Sequence, residues 1–239
     1  MESDPFHALA EQLDLTVEHV DLQNIFAKLI HRHALSNITY FGTNIPGLTD
    51  DGIFIETTYP DGWRQRYLEQ GYVAIDPVVQ LSFRRITPLD WNEIDRSDQS
   101  VCDFFSDAAE FGIGDQGLSF PIRGAHGETA LFSINSHHTT AAWVRLKRNF
   151  MREFQTIAFF LHNHVLDVCG VEFPEPPKLS SREIECLKWA ASGKTEWETA
   201  GILNISSKTV GFHLERAKYH LSSVTKTQAV AKAIKYGLI

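Results

Sequence analysis

A short proline-rich segment divides this sequence into two parts. Three prolines fall within the four residues 174–177 of the stretch VEFPEPPKLSS, residues 171–181. Proline fixes its own φ angle and lacks the amide donor that a helix requires, so prolines at this density predict an extended spacer. We therefore place a linker at residues 171–177, between a large domain of residues 1–170 and a small domain of residues 178–239.

The two parts differ in charge. Residues 178–239 hold 10 lysines and arginines against 5 aspartates and glutamates, a net charge of +5, whereas the whole chain of 239 residues carries −8. A basic unit attached to an acidic one suggests a polyanionic partner for the basic part alone. An excess of this size also arises by chance, so charge by itself leaves the partner open.

The composition argues against several classes of protein. No apolar run is long enough to span a bilayer, and the acidic stretch MESDPFHALAEQLD lacks the apolar core of a signal peptide. Three cysteines, far apart, are typical of reduced thiols in the cytoplasm. There is no phosphate-binding glycine loop, no GxSxG motif and no nucleophile–base pair, so we expect no catalytic residues, no cofactor and no enzyme. Histidines two residues apart diverge on a helix, and we expect no metal site.

The N-terminal part mixes helix and strand patterns. Segments rich in β-branched and aromatic residues predict four strands, the last two joined as a hairpin. These strands are residues 37–43, 52–58, 117–123 and 129–136. Helical spacing of apolar residues predicts three helices. The third is apolar on most faces of its second half, which should be buried either within this chain or against a partner chain. These helices are residues 20–35, 100–111 and 141–168.

The C-terminal part predicts four helices. A short helix, the tight turn NIS and a longer helix within a small basic domain indicate a helix-turn-helix. One face of the longer helix is apolar and should be buried; it consists of Val210, Leu214, Ala217 and Leu221. The fold class is therefore α+β: an N-terminal α/β/α sandwich with an antiparallel sheet, plus a C-terminal four-helix helix-turn-helix domain.

The opposite face of the longer helix fits a DNA major groove. Phe212 and Tyr219 beside Lys208 are unusual for plain solvated surface. Phe212 can contact a thymine methyl, Glu215 can accept from a cytosine amino group, and lysines reach phosphates. The residues expected at double-stranded DNA are Lys194, Thr195, Lys208, Thr209, Gly211, Phe212, His213, Glu215 and Lys218. A helical bundle used for protein contact remains the alternative.

The stretch YPDGWRQRYLEQGYVAIDP, residues 59–77, groups aromatic residues before a carboxylate in apolar surroundings. Trp63 and Tyr67 share a helix face at i, i+4 spacing. Asp76 is costly to bury unless it accepts hydrogen bonds. Two explanations stay open: Asp76 accepts from backbone amides in the turn before Pro77 and the aromatics are plain core, or the group holds a ligand.

Both parts resemble one known family. The stretch LSSREIECLKWAASGKTEWETAGILNISSKTVGFHLERAK resembles the DNA-binding domain of LuxR-type regulators, with Glu183, Leu187 and Gly193 at its most typical positions. The N-terminal part resembles the autoinducer-binding domain of the quorum-sensing members, and the stretch GLSFPIRGAHGE looks like a strand pair of that domain. The residues that carry this second resemblance are Tyr59, Trp63, Tyr67, Asp76, Pro77 and Trp91.

The resemblance implies an N-acyl homoserine lactone as ligand. The indole of Trp63 donates to the lactone carbonyl, and Asp76 accepts from the ligand amide, which supplies its missing donor. Tyr59 and Ser133 donate to the acyl carbonyl. Apolar walls and the acyl-chain side complete a set that comprises Tyr59, Trp63, Tyr67, Asp76, Val78, Trp91, Ser119 and Ser133.

The resemblance also implies a cytoplasmic transcription activator, free of the membrane, that binds a pseudo-palindromic DNA site as a homodimer, with RNA polymerase as a further partner. The helices near residues 141–168 and 225–236 are the expected dimer contacts. Two alternatives stay open: an orphan DNA-binding regulator that senses a different small molecule or none, and an enzyme acting on an acyl lactone or amide.

Overall fold

The computed structural model describes residues 22–45, 48, 52–124, 127–171 and 175–239. They form two compact units, one containing the described residues from 22 to 123 and from 128 to 171, the other containing residues 175–239. Residues 172–174 of the expected linker and residues 125–126 of the expected hairpin loop lie outside the described ranges. The domain boundaries therefore stay a prediction.

Within the described residues, the first unit contains five α-helices, five strands and two short 3-10 helices, the latter at Tyr72–Ala74 and Trp91–Glu93. In chain order the α-helices and strands are α1 (Leu22–His33), β1 (Asn37–Thr43), β2 (Phe54–Thr57), α2 (Asp61–Glu69), α3 (Pro77–Ser82), β3 (Leu89–Asp90), α4 (Gln99–Glu110), β4 (Gln116–Arg123), β5 (Thr129–Ser136) and α5 (Thr140–Val168). Each strand and helix predicted in this part is present. The sequence analysis did not predict the short strand β3.

The five strands form one antiparallel sheet in the order β2-β1-β5-β4-β3. Arg123 pairs with Thr129, so β4 and β5 form the predicted hairpin. Successive residues of a strand point to opposite faces. On one face Phe132 contacts Phe26 of α1 and Phe154 of α5, with ring centroids 6.3 and 6.2 Å away. Helices α2, α3 and α4 cover the other face, which confirms the sandwich.

The long helix α5 is buried on one side in the single chain. Leu161 and Val165 are fully buried against the sheet. Phe159 and Phe160, however, expose 48% and 38% of their surface. The helix is apolar around most of its circumference, but the sheet can cover only one side of it.

The second unit contains the four predicted helices: α6 (Ser181–Ala191), α7 (Glu196–Leu203), α8 (Ser207–His220) and α9 (Lys226–Lys235). Each begins at a side-chain cap, and these caps are Ser180, Thr195, Ser206 and Thr225. Asn204 ends α7 in the left-handed region at φ 53°, where asparagine is tolerated better than most residues, and so makes the tight turn. The apolar face predicted for α8 is buried.

Candidate functional site

A cavity of about 560 Å³ lies between the sheet and helices α2, α3 and α4 of the first unit. This volume is within the range of about 300–1,000 Å³ that small-molecule sites occupy. Seven of the eight residues predicted to hold a ligand line it. They are Tyr59, Trp63, Tyr67, Asp76, Val78, Trp91 and Ser133. The eighth, Ser119, is fully buried and is not among the residues that line the cavity, and its place beside an acyl chain stays a prediction.

One wall of the cavity is aromatic. Trp63 and Tyr67 lie one turn apart on α2 with ring centroids 5.8 Å apart, as the i, i+4 spacing predicted. Phe104 of α4 packs against Trp63 at 5.8 Å, and Tyr72 lies 5.1 Å from Phe104. These edge-on ring contacts favour a fixed arrangement of the wall.

An ion pair on the outer side of the same helices holds this wall in place. Arg66 of α2 donates two hydrogen bonds to Asp107 of α4, at 2.7 and 3.2 Å. The hydroxyl of Tyr72 donates to the same carboxylate at 2.5 Å. These hydrogen bonds from Arg66 and Tyr72 hold the pKa of Asp107 below its ordinary value. These hydrogen bonds therefore hold α2 and α4, which carry the aromatic wall, against each other.

The carboxylate of Asp76 already has hydrogen-bond donors within the protein. Oδ1 accepts from the backbone amides of Val78 and Val79 at 2.7 and 3.2 Å, and so caps α3. Oδ2 accepts from the hydroxyl of Tyr67 at 2.9 Å. The prediction that Asp76 lacks a donor until a ligand binds is therefore wrong. Burial nevertheless outweighs these bonds and raises the pKa of Asp76 above its ordinary value.

The sheet forms the opposite wall and carries a row of hydroxyl groups. Ser119, Ser133, Thr39 and Thr57 stand side by side on β4, β5, β1 and β2. The hydroxyls of Thr39 and Thr57 are 2.7 Å apart, and those of Ser119 and Ser133 are 2.8 Å apart. Next to this row, Asn135 donates to the hydroxyl of Tyr59 at 3.4 Å. The sheet wall of the cavity therefore carries hydroxyl groups, and it lies opposite the aromatic wall.

In the second unit, α8 exposes the face predicted to meet DNA. Lys208, Phe212 and Glu215 are exposed, whereas Gly211 and His213 are partly buried. Glu215 forms an ion pair with Lys218 at 2.9 Å. The Nδ1 atom of His213 is buried without a hydrogen-bond partner among the described residues.

The remaining predicted DNA residues make local contacts at helix starts. Lys194 and Thr195 both donate to Glu198, at 3.3 and 2.9 Å. The hydroxyl of Thr209 lies 2.8 Å from that of Ser206. These contacts orient the side chains at the N-terminal ends of α7 and α8, and a role at DNA stays a prediction for all of them.

Comparison with known families matches both units. The family described as "Autoinducer binding domain" matches residues 19–165, and the family described as "Bacterial regulatory proteins, luxR family" matches residues 177–233. The chain belongs to the luxR family of bacterial regulators. Members of this family are regulators of transcription and not enzymes, and this chain combines an autoinducer-binding domain with a helix-turn-helix domain.

Similarity to individual relatives supports the assignment of this chain to the luxR family. The transcriptional activator protein VanR of Vibrio anguillarum is 30% identical over 239 residues, 97% of this chain and 96% of VanR. The transcriptional activator protein RaiR of Rhizobium etli is 33% identical over 186 residues, 77% of each chain.

Two solved structures share the fold. SdiA of Escherichia coli is 21% identical with a TM-score of 0.53, covering 98% of this chain and 99% of SdiA. A complex of SdiA with octanoyl-rac-glycerol is 23% identical with a TM-score of 0.55, covering 100% of this chain and 98% of SdiA.

The sequence analysis did not predict several residues that line the cavity or that lie on the surface of the second unit. Apolar side chains of the cavity come from four separate elements, and no short motif joins them; examples are Phe41, Ile55, Phe104, Phe105 and Leu131. In the second unit, Trp197 on the first turn of α7 exposes 78% of its surface. Arg216 lies one turn after Phe212 on α8, so its i, i+4 spacing places it beside the set of residues predicted to contact DNA.

No helix among the described residues combines the length and apolar character needed to cross a membrane. The described part of this LuxR-type chain also contains no cluster of three or more histidine, cysteine or acidic side chains that could hold a metal ion.

Gly117 allows Trp91 to lie flat on β4, and we expect Gly117→Ala to disturb the cavity. A Cβ atom at this position would lie 2.2 Å from the indole ring. The ring must therefore shift, and the expected loss in the free energy of unfolding is about 1–3 kcal/mol, typical of an overpacked core. Chemical denaturation of the full chain measures this loss.

The matched control is Gly201→Ala in α7, where an added Cβ meets nothing within 4 Å. Replacing glycine by alanine inside a helix should raise the free energy of unfolding by about 0.5–1 kcal/mol. Equal changes in the free energy of unfolding in the two variants would show that the packing of Trp91 does not require a glycine at position 117.

Proposed function

We propose that this LuxR-family regulator binds an N-acyl homoserine lactone in its cavity and binds a pseudo-palindromic DNA site as a homodimer. The observation that carries the proposal is the buried carboxylate of Asp76 at the wall of a mostly apolar cavity, beside the indole of Trp63. A small number of fixed polar groups within an apolar space is well suited to bind a neutral amphiphile.

Asp76 can still accept one more hydrogen bond. A carboxylate offers about four acceptor positions. The amides of Val78 and Val79 occupy two on Oδ1, and Tyr67 occupies one on Oδ2. The remaining position on Oδ2 suits the amide N–H of an acyl homoserine lactone, and Tyr67 fixes the orientation of that oxygen.

The other polar groups of the cavity suit the carbonyl groups of the same ligand. Trp63 contributes an indole N–H, which can only donate, to the lactone carbonyl. Tyr59 and Ser133, on the sheet side, contribute hydroxyls to the acyl carbonyl. Val78 and the apolar side chains of the sheet then surround the acyl chain.

The exposed faces support the DNA and dimer parts of the proposal. Phe212 exposes 56% of its surface on α8, beside lysines that suit phosphates. Phe159 and Phe160 on α5, and Ile234 on α9, leave apolar surface exposed on the two helices expected at the dimer contact. A two-fold axis would then place two copies of α8 in successive major grooves. RNA polymerase stays an expected partner.

Mass spectrometry of the extracted ligand tests the proposal. Cells that produce the full-length protein receive a mixture of acyl homoserine lactones and, as a control without the amide, an acylglycerol such as the one named for the SdiA complex. We expect the purified protein to carry an intact lactone. Recovery of the acylglycerol alone, or of no supplied ligand, would contradict lactone binding and favour a regulator that senses another molecule or none. Hydrolysed lactone would favour an enzyme.

A further inference from the structure

We infer that Trp91 and Ser119 orient the hydroxyl of Ser133, so that it presents a hydrogen-bond donor to the cavity. Ser119 is then a positioning residue that acts through Ser133 and does not contact the ligand. The inference rests on the proposed function in one respect, because the acceptor that meets Ser133 is taken to be a carbonyl oxygen of the ligand.

Three side chains form a short chain of hydrogen bonds at the sheet wall. The indole Nε1 of Trp91 donates to the Oγ of Ser119 at 2.9 Å. The Oγ of Ser119 lies 2.8 Å from the Oγ of Ser133. Ser119 and Ser133 are directly opposite each other on β4 and β5, so the backbone register sets this distance.

The direction of these bonds follows from the chemistry of the donors. An indole N–H can only donate, so Ser119 must accept from it. Ser119 is fully buried, and Ser133 is the other side chain to which it is hydrogen-bonded among the described residues. If Ser133 donated to Ser119, the hydroxyl hydrogen of Ser119 would be buried without an acceptor, which is unfavourable. Ser119 therefore donates to Ser133.

The last hydroxyl hydrogen of the chain then belongs to Ser133. Its Oγ accepts from Ser119, so its own hydrogen must point elsewhere, and Ser133 lines the cavity. A donor fixed in this way favours a ligand that places a carbonyl oxygen over β5. A ligand N–H group there is disfavoured, because it would use the second lone pair of the Ser133 oxygen and leave the Ser133 hydrogen without an acceptor from the ligand. Trp91 and Ser119 thus determine that the cavity presents a hydrogen-bond donor at Ser133.

Indole N–H resonances of the ligand-free full chain test the first bond without any ligand. Trp91→Phe assigns the Trp91 resonance by its loss. In Ser119→Ala we expect this resonance to shift upfield, because its acceptor is gone, whereas Ser133→Ala should move it much less. A Trp91 resonance that Ser119→Ala leaves in place would overturn the inference.

A double-mutant cycle tests whether Ser119 acts through Ser133, with an acyl homoserine lactone as the probe. Ser133→Ala should weaken binding about tenfold and Ser119→Ala about three- to fivefold, as for loss of a neutral hydrogen bond or of its orientation. In the Ser133→Ala background, Ser119→Ala should change the dissociation constant less than twofold. Ser119→Thr keeps a hydroxyl and should restore the affinity.

The outcomes separate this inference from the proposed function. Tight lactone binding by the wild type with purely additive effects of the two alanine substitutions would overturn the positioning role and leave the ligand assignment intact. If no lactone binds, the proposed function fails, and the indole resonance still decides the contact between Trp91 and Ser119.

Discussion

Asp76→Asn is expected to lower the affinity for an acyl homoserine lactone about 30-fold, with little change in the stability of the ligand-free protein. The ligand amide would meet the side-chain NH₂ of asparagine in place of a carboxylate oxygen, so a charge-assisted hydrogen bond of about 1.5–3 kcal/mol is lost. The free energy of unfolding should change by less than about 1 kcal/mol, because asparagine caps helices as well as aspartate. Calorimetry and chemical denaturation measure the two quantities.

The contrast with Asp76→Ala separates the two roles of this side chain. Alanine removes the cap of α3, where Val78 and Val79 donate to Oδ1, as well as the contact to Tyr67. The ligand-free protein should therefore lose about 1–2 kcal/mol of stability in addition to its ligand affinity. Asp61→Asn is the matched control, because the Asp61 side chain is 97% exposed and forms an ion pair with Arg64 on the surface. If Asp76→Asn left the affinity for lactone at the wild-type value, the carboxylate would not contact the amide.

The dependence on pH gives the same assignment a second test. Because burial raises the pKa of Asp76, its folded form holds a proton at pH values where the unfolded form has lost it. Its contribution to stability therefore falls as the pH rises from the ordinary pKa to the raised one, and Asp76→Asn should remove this dependence. Lactone affinity should change in the opposite sense and weaken as the pH falls through the raised pKa, since only the ionised carboxylate accepts at both oxygens.

Glu183→Ala is expected to destabilise the DNA-binding unit by about 2–4 kcal/mol and to weaken DNA binding. Glu183 is fully buried at the third position of α6, where it accepts from the amide of Ser180 at 2.8 Å. Its carboxylate also lies 3.3 Å from both Arg216 and His220 of α8. The substitution removes a reciprocal cap and the contacts of this carboxylate with Arg216 and His220, which fix α8, each worth about 1 kcal/mol or more. Amide hydrogen exchange of the full chain locates the loss.

Glu185→Ala is the matched control, because Glu185 lies on the same helix and forms an exposed ion pair with Arg182. Exposed pairs of this kind contribute about 0–1 kcal/mol, so exchange rates should change little. Burial raises the pKa of Glu183, but bonds from Ser180 and the nearby His220 lower it by more. The contribution of Glu183 to stability is therefore lost as the pH falls through its lowered pKa. Equal exchange rates in the two variants would show that the buried carboxylate does not hold α8.

Local patterns were sufficient to predict most of the helices and strands. Helical spacing predicted the buried face of α8 from Val210 to Leu221. These features depend on neighbours within one or two turns of the chain. The sequence did not show which side of α5 the sheet covers, because Phe159 and Phe160 are as apolar as their buried neighbours and only the packing of the sheet decides it.

The site was predicted through residues that share one short stretch or one family pattern. Trp63, Tyr67 and Asp76 fall within 14 positions of the sequence, and all three line the cavity. Ser119 and Ser133 were predicted as separate ligand-binding residues. The sequence analysis did not predict that they pair with each other across β4 and β5. A sequence gives no register between strands, so it cannot show that one serine positions the other.

By itself, the sequence determined that the chain has an acidic part of mixed helices and strands and a basic helix-turn-helix part, because proline content, charge and hydrophobic periodicity are local properties. Only the tertiary structure decided that Asp76 is already hydrogen-bonded and that Ser119 is not among the residues that line the cavity. Hydrogen bonds between residues far apart in sequence depend on distances of about 3 Å, and these exist only once the sheet and its covering helices have packed together.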